Sequence, residues 1–211
     1  MKYFKLKKFT SQNSMKKLFT PLFILFFGIC SAQDFDAGFM GGFTTSQVSG
    51  DQLQGYDKLG ARLGAYVSYP LQKKMNLQIE MQYIQKGSKK PFIKNSPQTY
   101  SFNLHYIEVP LTMNYQIKEG IYLEGGIGTA YLFAYKEQDE YGDINTDKPN
   151  TLAVDILLGA QYQFKKNMKF NLRFGNSLIP FRKHSSKGEW GLNKGQYSTI
   201  LSLALMYQIS R

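Results

Sequence analysis

Eight stretches of this 211-residue chain alternate apolar and polar residues with a period of two. From Met75 to Tyr83, residues Met75, Leu77, Ile79, Met81 and Tyr83 share one face and Asn76, Gln78, Glu80 and Gln82 the other, because successive strand side chains point to opposite sides. The pattern predicts strands over 35–45, 59–70, 75–86, 102–117, 121–134, 152–164, 168–178 and 197–209. Short Lys-bearing connections (Leu71–Lys74, Lys118–Gly120, Lys165–Asn167) alternate with long ones (Ser46–Lys58, Gly87–Ser101, Tyr135–Thr151, Ile179–Gln196) that are rich in Gly, Ser, Asn, Lys, Asp and Pro. Short turns at one end and long loops at the other describe an all-β fold, an eight-stranded antiparallel transmembrane β-barrel.

The composition of the two faces decides which one is outside. In a water-soluble barrel the polar face would meet solvent and carry Lys and Glu. Here that face is mostly Gly, Ser, Asn and Gln with isolated charges, and lysine is nearly confined to the connections. Tyr69, Tyr115, Tyr162, Phe164 and Tyr207 fall near the short-turn ends, and Tyr83, Tyr131, Phe133, Phe174 and Tyr197 near the long-loop ends. Two aromatic girdles around an aliphatic band are expected at membrane interfaces. The expected location is the outer membrane, with both termini periplasmic.

The first 32 residues read as a signal peptide, leaving 33–211 as the barrel. Lys16 and Lys17 precede an apolar run from Leu18 to Ile29, and Cys30-Ser31-Ala32 closes in small residues. Met15 before two lysines reads as the natural start. Bulky Ile29 before Cys30 argues against lipidation. Six lysines and no acids lie in this segment, so the formal charge falls from +11 to +5 without it. The remaining basic residues sit in connections, so no nucleic-acid stripe is expected. Beyond Cys30 there is no cysteine, and therefore no disulfide framework.

By parity, Arg62, Glu80, Glu108, Glu124, Asp155 and Arg173 point inward. An eight-stranded barrel is only wide enough to be filled by side chains, and isolated charges there are costly, so a network bridging four carboxylates through two arginines is expected. Four acids against two arginines leave a deficit for a proton, water or a cation to meet. Lumen glycines (Gly38, Gly42, Gly60, Gly64, Gly126, Gly128, Gly159) would make room. One stretch breaks the alternation: Phe102, Leu104 and Tyr106 share one parity, and Ile107, Val109, Leu111 and Met113 the other. With Pro110 in the same strand, a β-bulge near Tyr106–Pro110 is predicted.

Three segments, Leu77–Gly87, Tyr106-Ile107-Glu108-Val109-Pro110-Leu111 and Tyr122–Gly128, resemble the PorT-like outer-membrane β-barrel family of Bacteroidetes, small barrels of the porin family. The middle segment, similar to that family's Y-x-E-I-P-L, is the most specific. The resemblance covers most of 33–211 and implies an eight-stranded barrel in the outer membrane. The family's namesake is tied to type IX secretion, a role not carried over here. The chain ends Tyr207-Gln208-Ile209-Ser210-Arg211, without the terminal aromatic residue of many such barrels.

Enzyme chemistry has little support in the sequence. His184, Ser185, Ser186 and Glu189 crowd one Lys-rich loop, too close together for a positioned nucleophile and base. His105 and His184 are far apart in the chain and make no metal signature, so neither metal nor cofactor is expected. The connections are the expected working surface, with Lys89, Lys90, Tyr141, Arg182 and Trp190 as binding candidates. Expected partners are outer-membrane lipids and lipopolysaccharide, the barrel-assembly machinery during insertion, and a secretion-system or surface protein. The functional reading is a non-enzymatic barrel with a closed polar lumen and a structural or loop-binding role. The alternatives are a narrow small-solute channel or an accessory barrel of a type IX-like secretion system.

Overall fold

The computed structural model describes residues 35–49, 55–90, 99–144, 148–182 and 195–210. The predicted signal peptide lies outside them, as do His184, Ser185, Ser186, Glu189 and Trp190. Eight long strands form the wall: β1 (Asp36–Ser49), β2 (Lys58–Gln72), β3 (Met75–Lys90), β4 (Tyr100–Lys118), β5 (Ile121–Asp139), β7 (Leu152–Lys165), β8 (Met168–Ser177) and β9 (Tyr197–Ser210). A two-residue strand, β6 (Gly142–Asp143), pairs with the end of β5. Each wall strand pairs antiparallel with its chain neighbour, and β1 pairs with β9, so the meander closes on itself. Closure satisfies the ladder internally and leaves no edge, as a wall surrounded by lipid requires.

The two-residue period sorts the side chains as the composition predicts. Outward residues such as Phe43, Leu63, Met81, Ile127, Leu158 and Leu203 are exposed, and the alternate polar residues are buried inside. The aromatics Tyr69, Tyr115, Tyr162 and Tyr207 are exposed near one end, and Tyr131, Phe133 and Phe174 nearer the other.

The predicted bulge in β4 is not found. Phe102, Leu104, Tyr106, Glu108, Pro110, Thr112 and Asn114 are all buried, so β4 keeps one parity throughout. The irregularity lies on β5. His105 pairs with Ala134 and Tyr106 with Leu132, leaving Phe133 as the extra residue. Leu132 is buried before the bulge and Glu137 after it, so β5 changes parity there. Pro110 acts differently. It interrupts the β3–β4 ladder between Ile79↔Leu111 and Gln82↔Glu108 without shifting the register, because it has no N–H to give.

The three aromatic and aliphatic residues of β4 therefore enter the barrel. They belong to a buried apolar cluster with Val48, Ile84, Leu132, Ile200 and Phe181 near the long-loop end. Phe181 comes from the β8–β9 connection and packs its ring 5.9 Å from that of Phe102. Its backbone is strapped in place: the Phe181 N–H donates to Gln196 O, and the Asn150 N–H donates to Phe181 O. A smaller cluster of Met40, Tyr66 and Met206 lies toward the short-turn end.

The wall changes character at its long-loop rim. Pairing of β2 with β3 stops at Arg62↔Ile84, although β2 begins at Lys58 and β3 runs to Lys90. Over this stretch Thr44 and Ser46 of β1 donate hydroxyl bonds to the carbonyls of Gln85 (2.8 Å) and Gly87 (3.0 Å). Lys86, Gly87 and Ser88 are buried in succession, so alternation fails here and the end of β3 leans over the mouth. Gly87 has φ +146°, and a Cβ there would lie 1.9 Å from the Phe102 carbonyl oxygen. Only glycine fits this turn of the strand.

Candidate functional site

Alternation along β2, β3, β4, β5, β7 and β8 aims Arg62, Glu80, Glu108, Glu124, Asp155 and Arg173 into the barrel, each with at most 4% exposure. Glu80 is the hub. It receives Arg173 through Nη1 to Oε2 (2.8 Å) and Nη2 to Oε1 (2.6 Å), Arg62 Nη2 to Oε2 (3.2 Å), and Gln78 Nε2 to Oε1 (2.6 Å). Arg62 spreads its other donors over Gln82 (2.7 Å), Asn171 (2.7 Å) and Ser202 (3.0 Å). Glu124 accepts from Arg173 Nε, Gln161 (2.8 Å) and Asn171 (2.9 Å). These bonds run between strands across the lumen as well as along the wall, so the guanidinium groups tie opposite sides together.

A second group adjoins the first. Lys86 Nζ donates to Glu108 Oε1 (3.3 Å) and to Asp155 Oδ2, and lies 5.3 Å from the Tyr106 ring centroid. Gln82 joins the groups, accepting from Arg62 at Oε1 and donating from Nε2 to Glu108 at 2.5 Å. Burying a charge without partners costs several kcal/mol, and here every one of the six expected charges has at least one oppositely charged or amide partner. Two of the lumen glycines make the room required: a Cβ on Gly128 would lie 2.8 Å from Glu108 Oε1, and one on Gly159 3.1 Å from Glu124 Oε1.

Lys86, the last residue of the predicted strand 75–86 and not among the expected lumen charges, lies in the lumen with 2% exposure. Its parity matches Gln78, Glu80 and Gln82, so the signal was present in the sequence. With it, four carboxylates face three cations in this central network. The amides Gln78, Gln82, Asn114, Gln161 and Asn171 are equally part of it and follow the same parity.

The rim candidates separate. Lys89 is exposed at the end of β3, and Lys90 beside it is half-buried. Tyr141 is 91% exposed in the turn after β5. Arg182 is not open to a partner. Its Nη2 donates to Glu137 Oε2 at 2.7 Å and its guanidinium carbon lies 4.7 Å from the Phe102 ring centroid. Glu137, within the predicted Tyr135–Thr151 connection, is 6% exposed because the Phe133 bulge turns it inward, where Tyr100 also donates to it at 2.6 Å. Trp190 lies outside the described residues.

Chemically, the interior offers carboxylates with fixed donors. Among the described residues no group of three His, Cys, Asp or Glu is arranged to hold a metal ion.

A family model described as an outer membrane protein beta-barrel domain matches residues 27–182. Among solved structures, the chain is similar to Ail, the attachment invasion locus protein of Yersinia pestis, crystallised with the heparin analogue sucrose octasulfate. That likeness has a TM-score of 0.52 and 13% identity, and covers 84% of this chain and 100% of that one. It is also similar to Neisserial surface protein A, with a TM-score of 0.55 and 12% identity, covering 85% and 99% of the two chains. At such identities the likeness is one of fold. No curated protein matches the chain.

Proposed function

Since this chain belongs to the outer membrane protein beta-barrel domain family and is an outer-membrane β-barrel protein, we propose that it neither conducts nor catalyses, and that it works through its rim. Its short turns and both chain ends then face the periplasm, and the long connections reach the cell exterior. The observation that carries this reading is the filling of the lumen. Glu80 and Arg173, on strands facing each other across the barrel, bond directly, and Phe181 with its apolar neighbours occupies the mouth above them. A solute path would need these contacts to part together.

The test is conductance of the purified barrel in a planar bilayer, after heat-modifiable gel mobility has established that it is folded. Silence is the expected result. Stable ohmic steps that change with Glu124→Gln would overturn this reading in favour of a narrow channel.

The resemblance to PorT-like barrels keeps a secretion-accessory role as the alternative. The segment that carries it, Tyr106 to Leu111, contributes Tyr106, Glu108 and Pro110 to the buried interior rather than to a partner surface, so it supports a shared barrel more than a shared task. Loss of exported cargo on deletion would favour that alternative. Lipids and lipopolysaccharide are the partners the location offers, with the barrel-assembly machinery acting during insertion.

A further inference from the structure

The three short turns and the end of the last strand share one design. Each follows an exposed tyrosine of the girdle: Tyr69, Tyr115, Tyr162 or Tyr207. Just beyond it the ladder skips a residue. Pro70↔Asn76 is followed by Gln72↔Met75, Gln116↔Tyr122 by Lys118↔Ile121, and Gln163↔Lys169 by Lys165↔Met168. On β9, Gln208↔Gly38 is followed by Ser210↔Ala37. The skipped residue is apolar every time: Leu71, Ile117, Phe164 and Ile209. Leu71, Ile117 and Ile209 are exposed, and Phe164 stacks on the outward Phe170 with ring centroids 4.7 Å apart. A bulge that turns an apolar side chain outward at the end of a lipid-facing wall carries the apolar surface up to the turn itself.

The turns are basic, and they are held in place. Lys73, Lys74, Lys118, Lys165 and Lys166 are all exposed. Glu119 is the single acid in the three turns, and Asp36, at the start of β1, accepts from Gln208 Nε2 at 2.7 Å. Among the described residues none of the five lysines forms an ion pair. Backbone bonds fasten each turn to the strand that follows in the ring. The N–H groups of Gln116, Gln163 and Gln208 donate to the carbonyls of Lys74 (2.8 Å), Gly120 (2.7 Å) and Asn167 (2.8 Å). Each lysine stands three to five residues beyond a girdle tyrosine. Its stem can therefore lie along the membrane interface with the ammonium at headgroup level.

We propose that the short-turn end binds anionic phospholipid. The five turn lysines pair with headgroup phosphates, and Leu71, Ile117 and Phe164 seat among the acyl chains beside them. Apolar side chains next to unpaired lysines, repeated around the circumference, match a surface of anionic lipid in both of its layers. The inference rests on the orientation proposed above, which puts this end in the periplasmic leaflet.

The experiment reconstitutes the purified barrel in phosphatidylcholine vesicles. It compares spin-labelled phosphatidylglycerol with spin-labelled phosphatidylcholine in the shell of motionally restricted lipid. A preference for phosphatidylglycerol of about two- to fivefold is expected, the scale of one lysine at an anionic surface averaged over a shell that the lysines only partly cover. It should shrink with added salt. It should be largely lost when all five turn lysines are replaced (K73Q/K74Q/K118Q/K165Q/K166Q), and kept in Lys89→Gln/Lys90→Gln at the opposite rim. Heat-modifiable mobility shows whether each variant is folded. Should the fivefold variant not fold, Lys73→Gln/Lys74→Gln and Lys165→Gln/Lys166→Gln are read separately, each losing part of the preference. No preference in the unmodified barrel, an unchanged preference in the turn variants, or its loss in the rim variant overturns the proposal. Labelling of Tyr141→Cys on intact cells reads the orientation independently. Labelling keeps the assignment to the periplasmic leaflet, and its absence removes that orientation whatever the vesicles show.

Discussion

Glu80 and Arg173 face one another across the full width of the barrel, four strands apart in a ring of eight, and are joined by two hydrogen bonds of 2.8 and 2.6 Å. A fork-to-fork bond of this kind fixes both distance and angle between the two walls. It acts as a strut between the two walls.

Removing the strut should therefore cost far more than a surface ion pair. Arg173→Ala leaves Glu80 and Glu124 with buried charge and fewer partners, and should destabilise the barrel by about 3–5 kcal/mol. Arg173→Lys should recover only part of that, since an ammonium cannot bond bidentately. Urea unfolding in lipid vesicles, followed by gel mobility, reads both. A loss under about 1 kcal/mol for Arg173→Ala would mean that water replaces the guanidinium at little cost.

Lys86 gives a sharper test because it serves two carboxylates. Lys86→Met should be strongly destabilising, by about 3 kcal/mol or more. Adding Asp155→Leu removes one of the two charges left stranded, so the double variant should be more stable than Lys86→Met alone. A double-mutant cycle measures the coupling. Additive losses would show that the two groups do not act as a pair.

Gly87→Ala places a methyl group against the Phe102 carbonyl in a backbone conformation that L-residues avoid. The expected cost is about 1–3 kcal/mol, with faster amide exchange over residues 85–90. Phe181→Ala should cost about 3 kcal/mol through the cavity it leaves at 1% exposure. If Phe181→Ala were neutral, the mouth would not be packed as described.

The outward face has its own signature. Leu111 lies midway along β4, between Ile107 and Tyr115, and is exposed. Leu111→Arg should destabilise the protein by about 2–4 kcal/mol in bilayers, as a midplane arginine on the lipid face does. The same substitution at Tyr141, 91% exposed beyond the wall, should leave stability unchanged within about 0.5 kcal/mol.

Most of the wall was legible in the sequence because period two is a strong local signal and the same positions must satisfy lipid outside and side chains inside. The ends of the strands were harder. Lys86 carried the right parity and closes the predicted strand, yet it stands next to Gly87 and a run of polar residues, so parity alone did not mark it as a lumen charge. The bulge is expected on β4 because its apolar residues switch parity between Tyr106 and Ile107 and Pro110 follows. In the structure the mouth is apolar, so Phe102, Leu104 and Tyr106 need no change of face. The extra residue on β5, Phe133, leaves no mark in composition, and with it went the position of Glu137. Phe181 packs against a residue 79 positions earlier, a contact that no local pattern encodes.

The early end of the β2–β3 ladder, bridged by Thr44 and Ser46, divides the molecule into parts with different rules of inheritance. Below Arg62↔Ile84 each residue answers to neighbours on both sides, and a change of register would travel around the circumference. Above it the lip stays laddered to β4 and β5 and meets β1 through the Thr44 and Ser46 hydroxyls, so beyond Lys86 and Gly87 its outer residues can be lengthened, shortened or rewritten with less consequence for the cylinder. In the proposed orientation such a lip can diversify under pressure from whatever meets the cell surface, while the part that must fold in the membrane stays as it is.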